Sequence, residues 1–255
     1  MRLHLHEWGD RALPTILCLH GVQAHGARFR RLAQERLTDR FHVVAPDLRG
    51  HGRSSWDPPW SLPAHLDDVE ELADELSPAV VLGHSFGGRL VLELAARTPR
   101  RVPRAILLDP AIQVPREVAA AYAAEEARRE PFASRDAALA FRRADAPRAP
   151  LGFLEEELGA HLTDELRFRY STLAAATIFG ELAADPPDPP RCPTLLVVAE
   201  TTDITTAEAV ARLEDAVDEL TLVRVPGGHI VLWDAFDETA AAIDAFLTGT
   251  DSGRS

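Results

Sequence analysis

The segment GHSFGG, residues 83–88, places one serine between glycines. It follows a β-branched apolar run and precedes residues with the i, i+3, i+4 spacing of a buried helix. A sharp turn between strand and helix would expose the Ser85 hydroxyl at the positive end of the helix dipole. Gly83 and Gly87 leave the room that such a turn requires. Ser85 is therefore the candidate nucleophile, and the alternative is a tight glycine turn with an inert serine.

The elements around this turn alternate between short apolar runs and helical patterns. Near-continuous apolar strands are typical of a parallel sheet that helices cover on both faces. The runs span residues 15–19, 42–46, 79–83, 105–109, 194–199 and 220–225. The helical patterns span residues 28–37, 65–76, 86–97, 206–217 and 235–247. Residues 3–8 alternate instead, which indicates a half-exposed antiparallel strand. We predict an α/β fold with a mostly parallel sheet of about seven strands.

One interval, residues 112–190, has no strand pattern. It contains helix-like stretches near residues 115–129, 134–145, 152–160 and 163–184 and ends in the proline-rich DPPDPPRCP. We predict a helical cap over 112–190, inserted into a core domain formed by 1–111 and 191–255. Most of its aromatic side chains should pack the cap on itself, and some should line a cavity between cap and sheet. These aromatics are Phe132, Phe141, Phe153, Phe168, Tyr170 and Phe179.

Charge and hydropathy exclude several partners. A net charge of −13 argues against nucleic acid, because a phosphate-binding surface needs concentrated Lys and Arg. We expect no membrane span and no signal peptide, since no apolar run approaches the length that either requires. The expected protein is cytoplasmic, a monomer or homodimer that takes a small-molecule substrate.

Cysteine and histidine usage gives no sign of a cofactor or metal. Cys18 and Cys192 each adjoin an apolar run and are interpreted as buried small side chains. His4 and His6 share one face of the first strand, but two ligands without a third do not predict a metal site. We therefore expect neither a metal nor another cofactor.

Five motifs in order resemble the α/β-hydrolase fold family. They are LCLHG at 17–21, VVAPDLRGHGRS at 43–54, GHSFGG at 83–88, PTLLVVAETTD at 193–203 and VPGGHIVLWD at 225–234. The resemblance covers nearly the whole chain except the cap and implies a hydrolase of the capped, lipase- or esterase-like kind. The family usually has one further strand before the equivalent of residues 3–8, so we expect seven strands here instead of eight.

The resemblance also assigns roles to residues in this sequence. His229 follows the last strand, in a loop with two glycines, and corresponds to the general base. The backbone N–H groups of Val22 and Phe86 correspond to the oxyanion hole. Gly21 allows the loop that carries Val22 to approach the site closely, and His20 is expected to orient this loop by hydrogen bonding.

Two aspartates could orient His229. Asp203 follows the strand that carries the usual acid of the family, although the spacing in AETTD is one residue longer than the commonest form. Thr205 and Glu208 provide a capping box for the next helix, so Asp203 is not needed as its cap. Asp109 precedes Pro110 at the start of the cap and is interpreted as a residue that fixes this turn. We predict Asp203 as the acid.

The predicted function is hydrolysis of carboxylic esters through an acyl-enzyme, on small to medium apolar substrates, because most of the predicted pocket walls are apolar. The predicted pocket residues are Gly21, His25, Ile112, Val114, Phe132, Phe141, Phe153, Phe179, Ile230 and Trp233. Hydrolysis of lactones or C–C bonds and perhydrolysis need the same three residues and stay open. So does a non-catalytic member of the fold that binds or senses a ligand.

Overall fold

The computed structural model describes residues 2–249 and contains a seven-stranded sheet. The strands lie in the order β1-β3-β2-β4-β5-β6-β7. Their bounds are β1 His4–Trp8, β2 Thr15–Leu19, β3 His42–Asp47, β4 Val80–His84, β5 Ala105–Leu108, β6 Thr194–Ala199 and β7 Leu220–Val225. All pairs are parallel except β1 with β3, which pair antiparallel with His4 opposite Asp47. The predicted fold class is confirmed.

Helices cover both faces of this sheet. Alternate residues of β2 belong to two separate apolar cores, with Leu17 and Leu19 in one and Ile16 and Cys18 in the other. This double burial explains why the inner strands read as continuous apolar runs. The helices are α1 Arg30–Leu32, α2 Leu62–Leu76, α3 Phe86–Arg97, α4 Arg116–Ala127, α5 Arg135–Asp145, α6 Leu151–His161, α7 Thr172–Glu181, α8 Ala207–Ala216, α9 Val231–Asp234 and α10 Phe236–Thr248.

Four of these helices, α4 to α7, lie between β5 and β6 and form what we call the helical insertion. The fourth helix predicted here, 163–184, is too long at its start. Residues Leu162 and Phe168 form a bridge around a turn in which Leu166 has a φ of +57°. Helix α7 begins only after Ser171, whose hydroxyl accepts the Ala174 N–H. The extended chain before it pairs with the loop after β3 instead, through the bridge between His51 and Tyr170.

No helix within residues 2–249 combines the length and apolar character that a membrane crossing needs.

Candidate active site

The turn between β4 and α3 holds Ser85 in a backbone conformation that few side chains adopt, with φ of +55° and ψ of −118°. Packing against the surrounding chain maintains this strain. A Cβ on Gly83 would lie 2.2 Å from the Gly87 carbonyl oxygen, and one on Gly87 would lie 2.0 Å from the Leu19 carbonyl oxygen. Both glycines are therefore required by close backbone approach.

Gly87→Ala is expected to destabilise the protein by about 3 kcal/mol, because the new methyl group would overlap backbone that cannot move. Gly159→Ala is the matched control. Gly159 lies inside helix α6, and a Cβ there would meet nothing within 4 Å. This change should stabilise the protein by about 0.5–1 kcal/mol through helix propensity. Urea unfolding measures both, and equal stabilities for the two variants would contradict the packing.

A chain of hydrogen bonds joins Ser85, His229 and Asp109. The Ser85 hydroxyl lies 2.8 Å from Nε2 of His229, and Nδ1 of the same ring lies 2.6 Å from Oδ2 of Asp109. With its proton on Nδ1, His229 donates to the carboxylate and accepts from the serine hydroxyl. The arrangement can therefore remove the hydroxyl proton while a carboxylate orients the imidazole.

Asp109 is fully buried and is held from several sides. Its Oδ1 accepts the Ala199 N–H at 3.0 Å, and its Oδ2 accepts the Thr202 hydroxyl at 2.7 Å. Burial alone would raise the pKa of this carboxyl. The hydrogen bond and charge of His229, with the bonds from Thr202 and Ala199, outweigh that effect and lower the pKa below its ordinary value. Asp109 is thus kept ionised beside the imidazole.

The prediction that Asp203 orients His229 is contradicted by this geometry. Asp203 is exposed on the cavity wall, and within the described residues it has no hydrogen bond to His229. Strand β5 lies between β4 and β6, so the residue after it is near both Ser85 and the loop after β6. That loop turns the Thr202 hydroxyl, and not the Asp203 carboxylate, towards this point. The carboxylate bonded to His229 therefore comes from the end of β5.

The predicted capping box of Thr205 and Glu208 is also wrong. Helix α8 is capped by Thr206, whose hydroxyl accepts the Ala209 N–H. Thr205 is one residue too early and donates its hydroxyl to the Pro110 carbonyl. Two signals in the sequence point to the observed arrangement. Asp109 directly follows a buried strand that neighbours the serine strand, and the AETTD segment is one residue longer than the commonest form in the family.

The loop that carries Val22 runs directly past Ser85. A Cβ on Gly21 would lie 3.0 Å from the Ser85 Cβ, so only glycine allows this approach without a shift of its neighbours. His20 donates from Nδ1 to the Gly21 carbonyl at 2.8 Å and accepts the Leu48 N–H at Nε2. Its pKa lies well below the ordinary value, chiefly because the ring is buried, so it is neutral. The bond fixes the peptide plane that also contains the Val22 N–H. Phe86 begins α3, where N–H groups have no partner within the helix.

His84, next to the serine, supports the other side of the site. Its Nε2 donates to the His229 carbonyl at 2.9 Å. Burial first, and then the neighbouring His229, lower its pKa to about 3, so it stays neutral. This bond positions the His229 backbone.

Ser85 and His229 open into a cavity of about 410 Å³. The predicted residues that line it are Gly21, Val22, Val114, Phe141, Phe179 and Ile230. The other predicted pocket residues lie elsewhere: His25, Ile112, Phe132, Phe153 and Trp233. Phe153 packs edge-to-face on Trp233, Phe132 packs on Phe141 and Phe168, and Ile112 is buried in the core. His25 is buried and donates to Glu157. The side chain of Phe86 is also buried, against His65, which leaves its backbone as the only part available to the site.

The cavity walls are more polar than the sequence predicted. Charged side chains from α4, α5 and the loops line the cavity together with Phe141, Phe179 and Tyr122. These charged residues are Arg28, Glu125, Arg129, Arg142, Asp145 and Asp203. The sequence does not mark them as cavity residues, because charges at i, i+3 and i, i+4 spacing, such as Glu125 with Arg129, normally indicate a solvated helix face. Several charged groups therefore line the cavity beside its apolar residues, and the sequence did not predict them.

One cluster outside the cavity bears on the metal prediction. His4, His6 and Asp47 bring one potential ligand atom each to within 4.8 Å of one another, so Asp47 is a third potential ligand that the sequence did not reveal. Asp47 already accepts the N–H groups of Gly26 and Arg53 and the Nε2 proton of His6. These bonds give the carboxylate a structural use in fixing the loop after β3.

A mostly parallel sheet with a glycine-flanked serine after its central strand, bonded to a histidine after its last strand, defines the α/β-hydrolase class. The sequence profile of the alpha/beta hydrolase family matches residues 16–242. This chain belongs to that family.

Individual relatives differ in what they do. The chain is 36% identical over 200 residues to the lipase LipV of Mycobacterium tuberculosis, covering 74% of each protein. It is 40% identical over 103 residues to the magnesium-chelatase 30 kDa subunit of Rhodobacter capsulatus, covering 39% of this chain and 35% of that one. The crystal structure of E-2-(acetamidomethylene)succinate hydrolase superposes with a TM-score of 0.83 at 27% identity, over 96% of this chain and 94% of the other. The family and the lipase relative support hydrolase activity.

Proposed function

We propose that this protein is a serine hydrolase of carboxylic esters, with Ser85 as nucleophile, His229 as general base and Asp109 as the acid that orients it. The observation that carries the proposal is the hydrogen-bonded chain from Asp109 through His229 to Ser85, which opens into the cavity. The Val22 and Phe86 N–H groups supply the oxyanion hole. Each of these roles is assigned to a side chain or backbone group of this chain.

The reaction proceeds through an acyl-enzyme. Oγ of Ser85 attacks the ester carbonyl while its proton passes to Nε2 of His229, and the carbonyl oxygen becomes an oxyanion. The tetrahedral intermediate collapses, the C–O bond to the alcohol breaks, and His229 returns the proton to the leaving alkoxide. Water, deprotonated by His229, then attacks the acyl group, and Ser85 leaves with the proton from His229. The products are an alcohol and a carboxylic acid.

The lipase relative supports ester cleavage, and the cavity supports small to medium acyl groups with some polar character. Its volume of about 410 Å³ lies near the lower end for ligand sites. Turnover of 4-nitrophenyl esters of graded acyl length tests the proposal, because a ligand-binding member of the fold would bind them without Ser85-dependent release of nitrophenol. We keep the cytoplasmic location and the monomeric or dimeric state as predictions.

The helical insertion is proposed to act as a cap that shapes the acyl pocket. Phe179 of α7 lines the cavity, stacked on Tyr122 at 5.2 Å between ring centroids. Phe179→Ala should shift the preferred acyl chain towards longer esters, by about 1–3 kcal/mol in the relative kcat/KM values.

The matched control for this prediction is Phe153→Ala, which removes the same ring from the insertion at a position that packs on Trp233. Its acyl-length profile should equal that of the wild type. An unchanged profile in Phe179→Ala would mean that the insertion does not form the acyl pocket.

A further inference from the structure

Three successive carbonyl groups in the loop beside Ser85 are held by buried nitrogen donors. His20 donates to the Gly21 carbonyl, and His51 donates to the Val22 carbonyl. The Gln23 carbonyl accepts from two guanidinium groups, Nη2 of Arg28 at 3.1 Å and Nη2 of Arg142 at 2.9 Å. The loop that carries the Val22 N–H is therefore fixed at each peptide group.

Arg142 differs from the other donors because it comes from the helical insertion. It lies on α5, and its side chain is only 1% exposed. Its other polar contact is long, 3.5 Å to the Asp145 carboxylate, and its buried Nε has no hydrogen-bond partner in the described part of the chain. Burial, together with the charge of Arg28, lowers the pKa of Arg142 to about 10, which leaves it charged at neutral pH. The guanidinium also lies over the Phe168 ring, 3.9 Å from its centroid, and this contact offsets part of the cost of burying the charge.

The insertion also contacts this loop through two buried carboxylates. Glu157 of α6 accepts from Nε of Arg28 at 2.9 Å and from Nε2 of His25 at 3.0 Å. Glu126 of α4 accepts from the side-chain amide of Gln23 at 2.6 Å. Both carboxylates are buried. Helices α4, α5 and α6 thus each hold a different part of the loop.

We propose that Arg142 is a positioning residue, which holds the Gln23 carbonyl together with Arg28 so that the Val22 N–H points at the developing oxyanion. This inference rests on the proposed serine hydrolase function. The insertion then has a second role besides shaping the acyl pocket. The contact of α5 with the loop sets the direction of the Val22 N–H and so completes the oxyanion hole. Both arginines also line the cavity, where their positive charge favours the oxyanion.

The test compares Arg142→Met with the wild type, using 4-nitrophenyl butyrate as substrate and a trifluoromethyl ketone as inhibitor. The ketone forms a tetrahedral oxyanion adduct with the serine, so its inhibition constant reports on the oxyanion hole. We expect kcat to fall roughly 10- to 100-fold and the inhibition constant of the ketone to rise by the same factor, with little change in KM. Arg128→Met is the matched control, since Arg128 is an exposed arginine at the end of α4. It should behave as the wild type does.

Thermal unfolding establishes that each variant is folded, and Arg142→Gln replaces Arg142→Met if the methionine variant does not fold. A wild-type inhibition constant for the ketone in the folded variant would overturn the positioning role, and so would a loss of kcat without a matching rise in that constant. Ser85→Ala in the wild-type background separates the two proposals. If Ser85→Ala kept its turnover, the serine hydrolase proposal itself would be overturned.

Discussion

Asp109→Asn is expected to lower kcat about 10⁴-fold while the protein stays folded. The amide would hold the wrong tautomer of His229 and could not stabilise the imidazolium that forms when Ser85 attacks. The 2.6 Å bond between Nδ1 of His229 and Oδ2 of Asp109 is the contact that this substitution changes. Steady-state hydrolysis of 4-nitrophenyl acetate at neutral pH measures the effect.

Asp203→Asn is the matched control, because it makes the same change in the other candidate aspartate. Asp203 lines the cavity and has no hydrogen bond to His229 within the described residues, so its variant should stay within a few-fold of the wild-type kcat. An inactive Asp203→Asn beside a normal Asp109→Asn would contradict the observed arrangement.

The effect of Asp109→Asn on the free energy of unfolding should depend on pH. The pKa of Asp109 is lowered in the folded protein, so its carboxylate stabilises the fold above the ordinary carboxyl pKa, and this contribution is lost as the pH falls through the lowered value. Asp109→Asn therefore removes a stabilising charge at neutral pH and little at strongly acidic pH. Unfolding curves at both pH values separate this loss from the catalytic one.

Ser85→Ala is expected to lower kcat by about 10⁶-fold, because without Oγ no acyl-enzyme forms and His229 has no hydroxyl to deprotonate. Ala at this position keeps the β4–α3 turn, so binding of the ester in the cavity should persist. Ser55→Ala, in the loop between β3 and α2, is the control and should retain the wild-type rate. Similar rates for Ser85→Ala and the wild type would show that Ser85 is not the nucleophile.

Much of the architecture could be predicted because the relevant signals are local. Each predicted strand lies within one or two residues of the observed one, since burial on both faces produces a continuous apolar run. Ser85 could be identified because the two glycines and the flanking apolar runs are all within twelve residues of it. The start of α7 could not, because its preceding segment pairs with His51, far away in the chain.

The acid and the cavity walls depend on contacts that the sequence does not encode locally. Asp109 and Asp203 both follow strands at the same edge, and the choice between them depends on which way the loop after β6 turns its side chains. The contacts of Arg142 cannot be predicted either, because its sequence context is that of an ordinary surface arginine on an amphipathic helix. Only the folded chain places its guanidinium on the Gln23 carbonyl, 119 residues away.

Covalent labelling tests most directly whether Ser85 is the activated nucleophile. We expect a fluorophosphonate, which forms a stable bond only with an activated serine, to add one group per chain, and peptide mapping by mass spectrometry to place it on Ser85. Asp109→Asn should react far more slowly, Asp203→Asn at the wild-type rate, and Ser85→Ala not at all. An enzyme that hydrolyses esters but whose Ser85 does not react with the fluorophosphonate would contradict the proposed mechanism. A label on another residue would contradict it as well.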